Sequence, residues 1–335
     1  MCLIVETRAT MTDAPDPGAS TLSPDEAFGV LGNETRMEIL QVLADADDAL
    51  SFSELRTRVG MRDSGRFNYH LDQVVGHFVQ QTVTGYELAR PGQRVIEAVL
   101  SGAVTESPVI ERTSIDWRCH YCDGGPLEVD YREEQVGVYC PDCEGLYGGE
   151  RDPEESALPA ERERLYYMRL PPAGIAGRDP EEVILAASRW TNAESVTTAF
   201  GICPRCSARL DESVAVCGTH ARTDRLCPDC NRRYAVLYET SCTNCVFETE
   251  IVLGNKLLTN LEVRAFLIEH GMNPLFPQSK RFRETFIDYD EEVRSVDPLE
   301  VILTFAVDDD AISVTVDDAI EVVDVTRGPT TEPDD

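Results

Sequence analysis

Between residues 21 and 104, apolar positions recur at every third or fourth residue, the spacing of one helix face. From Leu299 to Val325 they alternate with polar ones, the spacing of a strand. Ser23-Pro-Asp-Glu26 is a capping box with proline at the first helical position, and it opens a helix through Leu31. Asn33 caps a second helix that carries Met37, Leu40 and Leu43 on one face. Ser51-Phe-Ser-Glu54 is another capping box and starts a third helix, which ends at Gly60. A fourth helix is predicted from Gly65 to Val75, with Phe67, Leu71, Val74 and Phe78 on its buried side. Phe78–Val83 and Tyr86–Ala89, separated by Thr84-Gly85, form a hairpin, and Pro91 leads into an amphipathic helix through Val95, Ile96, Val99 and Leu100.

Past residue 104 the periods are shorter. Residues 105–116 read as a connector, and Trp117–Tyr147 as a self-contained unit with strands Leu127–Tyr131 and Gln135–Tyr139. Asp179-Pro-Glu-Glu182 caps a helix, and Thr259-Asn-Leu-Glu262 opens another with Val263, Phe266 and Leu267 inward and Gly271 as its stop. Val301–Val307, Ile312–Val316 and Ile320–Val325 form a half-buried antiparallel sheet, with Asp308-Asp-Asp310 as a turn. The expected class is α+β. The expected division is a disordered N-terminus over 1–20, a helix-and-hairpin domain over 21–104, a cysteine-bearing module over 105–147 and a linker over 148–178. A helix with a double knuckle module follows over 179–252, then an α+β C-terminal domain over 253–327 and an acidic tail over 328–335. Met11 is an alternative start to Met1.

Charge alters this picture. The chain of 335 residues has 61 acidic and 30 basic groups, a formal charge of −31. Lys256 and Lys280 are its two lysines, against 28 arginines. The carboxylates are spread along the whole chain, as in proteins that stay hydrated in concentrated salt, so we expect a halophilic protein. A hydrophobic content of 42% with regular periodicity excludes a disordered acidic chain. Residues 286–335, with 16 acidic and 2 basic groups, make a poor nucleic-acid surface. No run reaches the roughly 18 apolar residues of a membrane span, and Met1-Cys-Leu-Ile-Val-Glu6 is too short for a signal peptide. A cytoplasmic location is expected, where reducing conditions favour metal over disulfides.

Eleven of twelve cysteines fall into pairs with metal-ligand spacing. Cys119-x2-Cys122 and Cys140-x2-Cys143, 17 residues apart, supply one complete set of four ligands, with His120 as a bystander. Cys203-x2-Cys206, Cys217-x2-His220, Cys227-x2-Cys230 and Cys242-x2-Cys245 supply eight more. A Cys-x2-Cys turn places two thiolates at one point, so the chain is expected to hold about three structural zinc ions. The eight can divide sequentially, as Cys203/Cys206/Cys217/His220 and Cys227/Cys230/Cys242/Cys245, with 10 and 11 residues between pairs. They can also divide cross-braced, 203/206 with 227/230 and 217/220 with 242/245. Short-loop closure favours the sequential division. Closed four-ligand sites, with no His-Glu-x2-His or His-x-Glu pattern, point away from an enzyme.

Three helices, a fourth helix, a two-stranded wing and a closing helix compose a winged helix-turn-helix. Leu31-Gly-Asn-Glu-Thr-Arg-Met-Glu-Ile-Leu40, Phe52-Ser-Glu-Leu55 and Tyr69-His-Leu-Asp-Gln-Val-Val75 resemble the arsenic-repressor (ArsR) family of transcription regulators. The resemblance covers residues 25–104 and is greatest to a haloarchaeal branch with a cysteine-rich, zinc-ribbon C-terminal region. It implies binding to double-stranded DNA and a homodimer formed through helices near 24–31 and 91–104. Metal-sensing members carry cysteines on the helix before the recognition helix; Glu54-Leu-Arg-Thr-Arg-Val-Gly60 has none, so the signal is open.

Residues 1–112 hold 9 basic and 17 acidic groups, yet four arginines and one acid lie between Leu55 and His70. Arg62, Arg66, Tyr69 and Gln73 are expected to point outward from the fourth helix, with Asn68 on the flank. With Arg56, Arg58 and Ser64 they form the expected major-groove surface, and Gln81, Thr82 and Thr84 the wing contacts. His70 is expected to be packed. The leading expectation is a DNA-binding transcription regulator whose C-terminal half senses a signal or recruits a protein partner. The alternative is a zinc-ribbon adaptor for protein or RNA, with the winged helix as an interaction module.

Overall fold

The computed structural model describes residues 2–6, 22–119, 121–143, 164–220, 226–273, 285 and 289–329. The chain is mixed α+β, with antiparallel ladders in every sheet. It divides into two compact units, one on Thr12–Ser107 and one on most of the chain from Pro108 onward together with the N-terminal strand β1 (Cys2–Glu6). No helix among the described residues is long and apolar enough to cross a membrane.

The first unit contains α1 (Pro24–Leu31), α2 (Glu34–Ala44), α3 (Phe52–Arg58), α4 (Ser64–Val74), the hairpin β2 (Val79–Gln81) and β3 (Tyr86–Leu88), and α5 (Arg90–Leu100). Both serine capping boxes form. The Ser23 hydroxyl accepts from the Glu26 amide while the Glu26 carboxylate accepts from the Ser23 amide, and Ser51 and Glu54 do the same. Asn33 caps α2 and Asp63 caps α4. Ile39 and Leu40 of α2, Leu55 of α3, and Phe67, Leu71 and Val74 of α4 share a core with Phe78 and Ile96. Backbone crowding sets two glycines. A Cβ on Gly85 would lie 2.3 Å from the Leu50 carbonyl oxygen, where Leu50 bridges to Tyr86. One on Gly92 would lie 2.1 Å from the Phe78 carbonyl oxygen, so α5 sits directly against the hairpin.

Among the described residues, the second unit holds three four-stranded sheets. The first runs β4 (Ile110–Ile115), β5 (Leu127–Arg132), β6 (Gln135–Tyr139), β7 (Arg164–Arg169). α6 (Pro180–Ala199) covers it with Val183, Ile184 and Ala187. The expected connector and linker thus contribute β4 and β7. Exposed Glu111, Arg112 and Arg169 hide these strands in the sequence, while Ile115, Leu165 and Met168 are buried. The remainder of the linker up to residue 163 lies outside the described residues.

The second sheet is ordered β1, β8 (Leu210–Cys217), β9 (Val236–Cys242), β10 (Glu248–Val252). The third is β11 (Asp290–Val296), β12 (Leu299–Val307), β13 (Asp310–Asp317), β14 (Val322–Pro329) in sequence order. Residues 2–6, expected to be disordered, therefore pair with β8, consistent with their apolar Leu-Ile-Val centre. Residues 7–20 of that expected segment lie outside the described residues. β11 is a strand that the pattern of residues does not announce: it is an acidic edge with Val293 and Val296 packed inward and Glu291 accepting from the Ala235 amide at 2.6 Å. β14 runs into the expected tail as far as Pro329, and 330–335 lie outside the described residues.

The expected boundary between 252 and 253 is absent. Val214, Val236 and Tyr238 of the second sheet share one core with Leu303, Phe305 and Val314 of the third. Val263, Phe266 and Leu267 of α7 (Leu261–Glu269) close it.

Candidate metal centres and the outer face of α4

Each Cys-x2-Cys or Cys-x2-His turn in the second unit ends or begins a strand, which fixes where its ligands point. Cys119 and Cys122 precede β5, and Cys140 and Cys143 follow β6. Their sulfurs lie 3.6 Å apart for Cys119–Cys143 and for Cys122–Cys140. Amides of Tyr121, Gly124 and Asp142 donate to the sulfurs at 3.4 Å, as in a knuckle built for thiolates. A tetrahedron with metal–sulfur bonds of about 2.3 Å has edges of about 3.8 Å. A disulfide at about 2.05 Å is excluded at these separations.

The remaining eight ligands form two groups, and neither division expected from the sequence is adopted. Cys203, Cys206, Cys242 and Cys245 make one group; Cys217, His220, Cys227 and Cys230 make the other, with ligand atoms in each group lying within 4.8 Å of one another. The cause is the β8–β9 hairpin, which pairs Leu210 with Cys242 at one end and Val216 with Val236 at the other. Ligands outside the hairpin meet at its open end, and ligands inside it meet at its closed end. The nested arrangement also has the shortest loop of all, six residues between His220 and Cys227. Short-loop closure therefore does operate here, but between the two inner pairs.

At the outer group the Cys203–Cys245 and Cys206–Cys242 sulfurs are 3.7 and 3.5 Å apart. At the inner group His220 Nδ1 lies 3.4 Å from the Cys230 sulfur, while its Nε2 lies 3.2 Å from the Arg233 carbonyl oxygen. That geometry assigns the proton to Nε2 and leaves Nδ1 as the donor to a metal. Without metal the thiols differ. The Ala208 amide draws Cys206 down to about 6, and burial pushes Cys140 and Cys230 up to about 11. A divalent cation must displace the protons of these two thiols to bind at their groups. The three groups are thus placed for about three structural metal ions. His120 lies outside the described residues.

On the first unit, Phe67, His70, Leu71 and Val74 of α4 are buried. Arg62, Ser64, Arg66, Asn68, Tyr69 and Gln73 are exposed, as is Arg58, with Arg56 half-buried. Tyr69 is 61% exposed, an unusual place for a ring, and meets the His70 ring edge-on at 5.3 Å. Three details escape a reading of the sequence. The Asn68 amide donates to the Asp72 carboxylate at 2.7 Å, so Asn68 is held and an acid stands on the same face. Thr82 is used by the hairpin turn: its hydroxyl accepts from the Thr84 and Gly85 amides. Gln81 and Thr84 remain exposed, and Val83 between them is a fully exposed apolar tip. Its only sequence signal is a β-branched apolar residue at the centre of a tight turn.

A family described as a domain of unknown function, DUF7351, matches residues 116–322, and another, DUF7347, matches residues 24–99. The two matches fall on the two compact units. No curated protein and no solved structure matches the chain.

Proposed function

The chain belongs to the DUF7351 family, a domain of unknown function, and on that premise we propose that it is a DNA-binding transcription regulator. The observation that carries the reading is the outer face of α4. Arg66, Tyr69 and Gln73 stand exposed on α4, with exposed Arg58 at the end of α3 and Arg62 in the turn before α4, on a unit that is otherwise acidic. α4 is then the recognition helix of a winged helix-turn-helix, with β2–β3 as the wing. Arginine can take guanine O6 and N7 bidentately in the major groove, and Tyr69 reaches a phosphate or base edge. Val83 at the wing tip suits an apolar contact in the adjacent groove.

The exposed Phe28 of α1 and Leu100 of α5 support a homodimer of the kind the resemblance implies. The second unit is read as zinc-ribbon modules around three closed, structural zinc sites. They stabilise a half that senses a signal or recruits a partner, with no catalysis at the metals. The cytoplasm is the expected location. The adaptor reading keeps one supporting observation: the Asn68–Asp72 pair removes one reader from the α4 face and adds a carboxylate to it.

Arg66→Ala with Tyr69→Ala separates the two. Genomic fragments selected by the wild type in molar potassium chloride should bind the variant at least about tenfold more weakly. Unchanged affinity would sink the regulator reading. In molar salt, ions are already abundant, so counterion release adds little affinity, and binding should change only weakly with potassium chloride concentration.

A further inference from the structure

We propose that the outer metal group, Cys203/Cys206/Cys242/Cys245, carries a docking surface for an acidic, amphipathic segment of a partner protein. Four large apolar side chains are exposed around it: Trp190 (44%), Phe200 (62%), Ile202 (44%) and Val246 (100%). Ile202 precedes Cys203 and Val246 follows Cys245, and those two sulfurs are 3.7 Å apart, so both side chains are rooted at one point. Exposed apolar side chains gathered at one site, on a chain of charge −31, mark a surface meant to be covered.

Charge selects what covers it. The two knuckles, residues 200–210 and 241–247, contain Arg205 and Arg209 and no carboxylate, whereas Asp123, Asp142 and Asp229 sit in the knuckles of the other groups. Arg205 is paired with Glu194 of α6 at 2.7 Å, one helical turn beyond Trp190, which ties the α6 side of the patch to the knuckle. Arg169 lies 5.9 Å over the Phe247 ring, and the Arg209 carbonyl oxygen accepts from the Thr243 hydroxyl at 3.0 Å. The patch is thus apolar at its centre, with exposed Arg169 and Arg209 beside it and Arg205 held by Glu194. A second copy placed patch to patch would set these arginines against each other. A nucleic acid strand would find rings at Trp190 and Phe200, but at Ile202 and Val246, the two side chains rooted on the metal group, it would meet aliphatic groups on which bases do not stack. An acidic segment with one apolar face answers both features.

The inference names the partner class for the recruiting half of the function proposed above and depends on it only for its regulatory meaning. The test uses the metal-loaded full chain and a fluorescein-labelled peptide alternating Glu with Leu and Phe, beside the same peptide with Lys for Glu. By anisotropy the Glu peptide should bind and the Lys peptide should not. The pair Ile202→Asp/Val246→Asp should weaken binding at least about tenfold, and Arg209→Glu should erase the preference for Glu over Lys. Thiolate–cobalt absorption identical to wild type shows that the group itself is intact; if the pair fails that check, Arg209→Glu decides. The proposal is overturned by no binding of the Glu peptide, by equal binding of the Lys peptide, by variants that bind like wild type, by displacement with a single-stranded oligonucleotide, or by a dimer that the variants abolish. Wild-type chain that binds the peptide but no DNA fragment would leave this surface standing and remove the regulator reading instead.

Discussion

At Gly85 a single hydrogen atom decides whether the hairpin can reach Leu50. A methyl group there would come within 2.3 Å of the Leu50 carbonyl oxygen, on a backbone whose φ is 154°. Gly85→Ala should therefore destabilise the first unit by at least about 2 kcal/mol in urea unfolding. His70 gives a pH signature. Burial, reinforced by Arg36 and Arg66, holds its pKa below the ordinary 6.5. The folded state keeps the ring neutral, so as pH falls the unfolded chain takes up the proton first. Its contribution is complete above 6.5 and is lost as pH falls through the lower folded value. The melting temperature of the wild type should therefore drop on acidification through that range, and His70→Leu should flatten the drop. At this scale the sequence was legible wherever direction follows from helical spacing, as for Arg66, Tyr69 and Gln73; Arg62, expected on the same helix, lies in the turn before it. It was illegible where one side chain captures another. Nothing in the spacing says that Asn68 reaches Asp72 or that Thr82 turns into its own loop.

Elements with local causes were readable in advance. α1 and α3 begin at their serine boxes because cap and partner are three residues apart in the chain. Ser51→Ala should cost about 1 kcal/mol by removing the α3 cap. Strands whose identity depends on a distant neighbour were not readable: β4, β7 and β11 are charged edges or irregular ladders whose apolar residues only make sense beside a partner. The metal groups follow the same division. Pair spacing is local, so all twelve ligands could be found, but the partition is fixed by the β8–β9 register, which is not local. Cys203→Ser/Cys206→Ser tests that partition. Mass spectrometry under native conditions should show one metal lost, and the Cys217/His220/Cys227/Cys230 group should keep its cobalt spectrum. Loss of the three-cysteine, one-histidine cobalt signature, with all-cysteine sites left, would instead restore the sequential division.

For the molecule as a whole, the shared core of the second and third sheets changes what chelation can do. A pair of isolated knots would unravel from 203 to 252, but Val236 and Tyr238 are packed against Leu303 and Phe305. A chelator should therefore remove amide-exchange protection from 200–210, 217–220 and 241–247 while β12 and β13 stay protected, and the first unit should show no change. The nested hairpin also imposes a timetable. The inner group closes a loop of six residues between His220 and Cys227, while the outer group spans 35 between Cys206 and Cys242. The difference in closure entropy is about 1.5 kcal/mol, enough to slow the outer capture more than tenfold unless the inner one has occurred. Refolding with one equivalent of metal should fill the histidine-bearing group first. The ion bound there draws the two strands together, so the first metal becomes the template on which the second is caught.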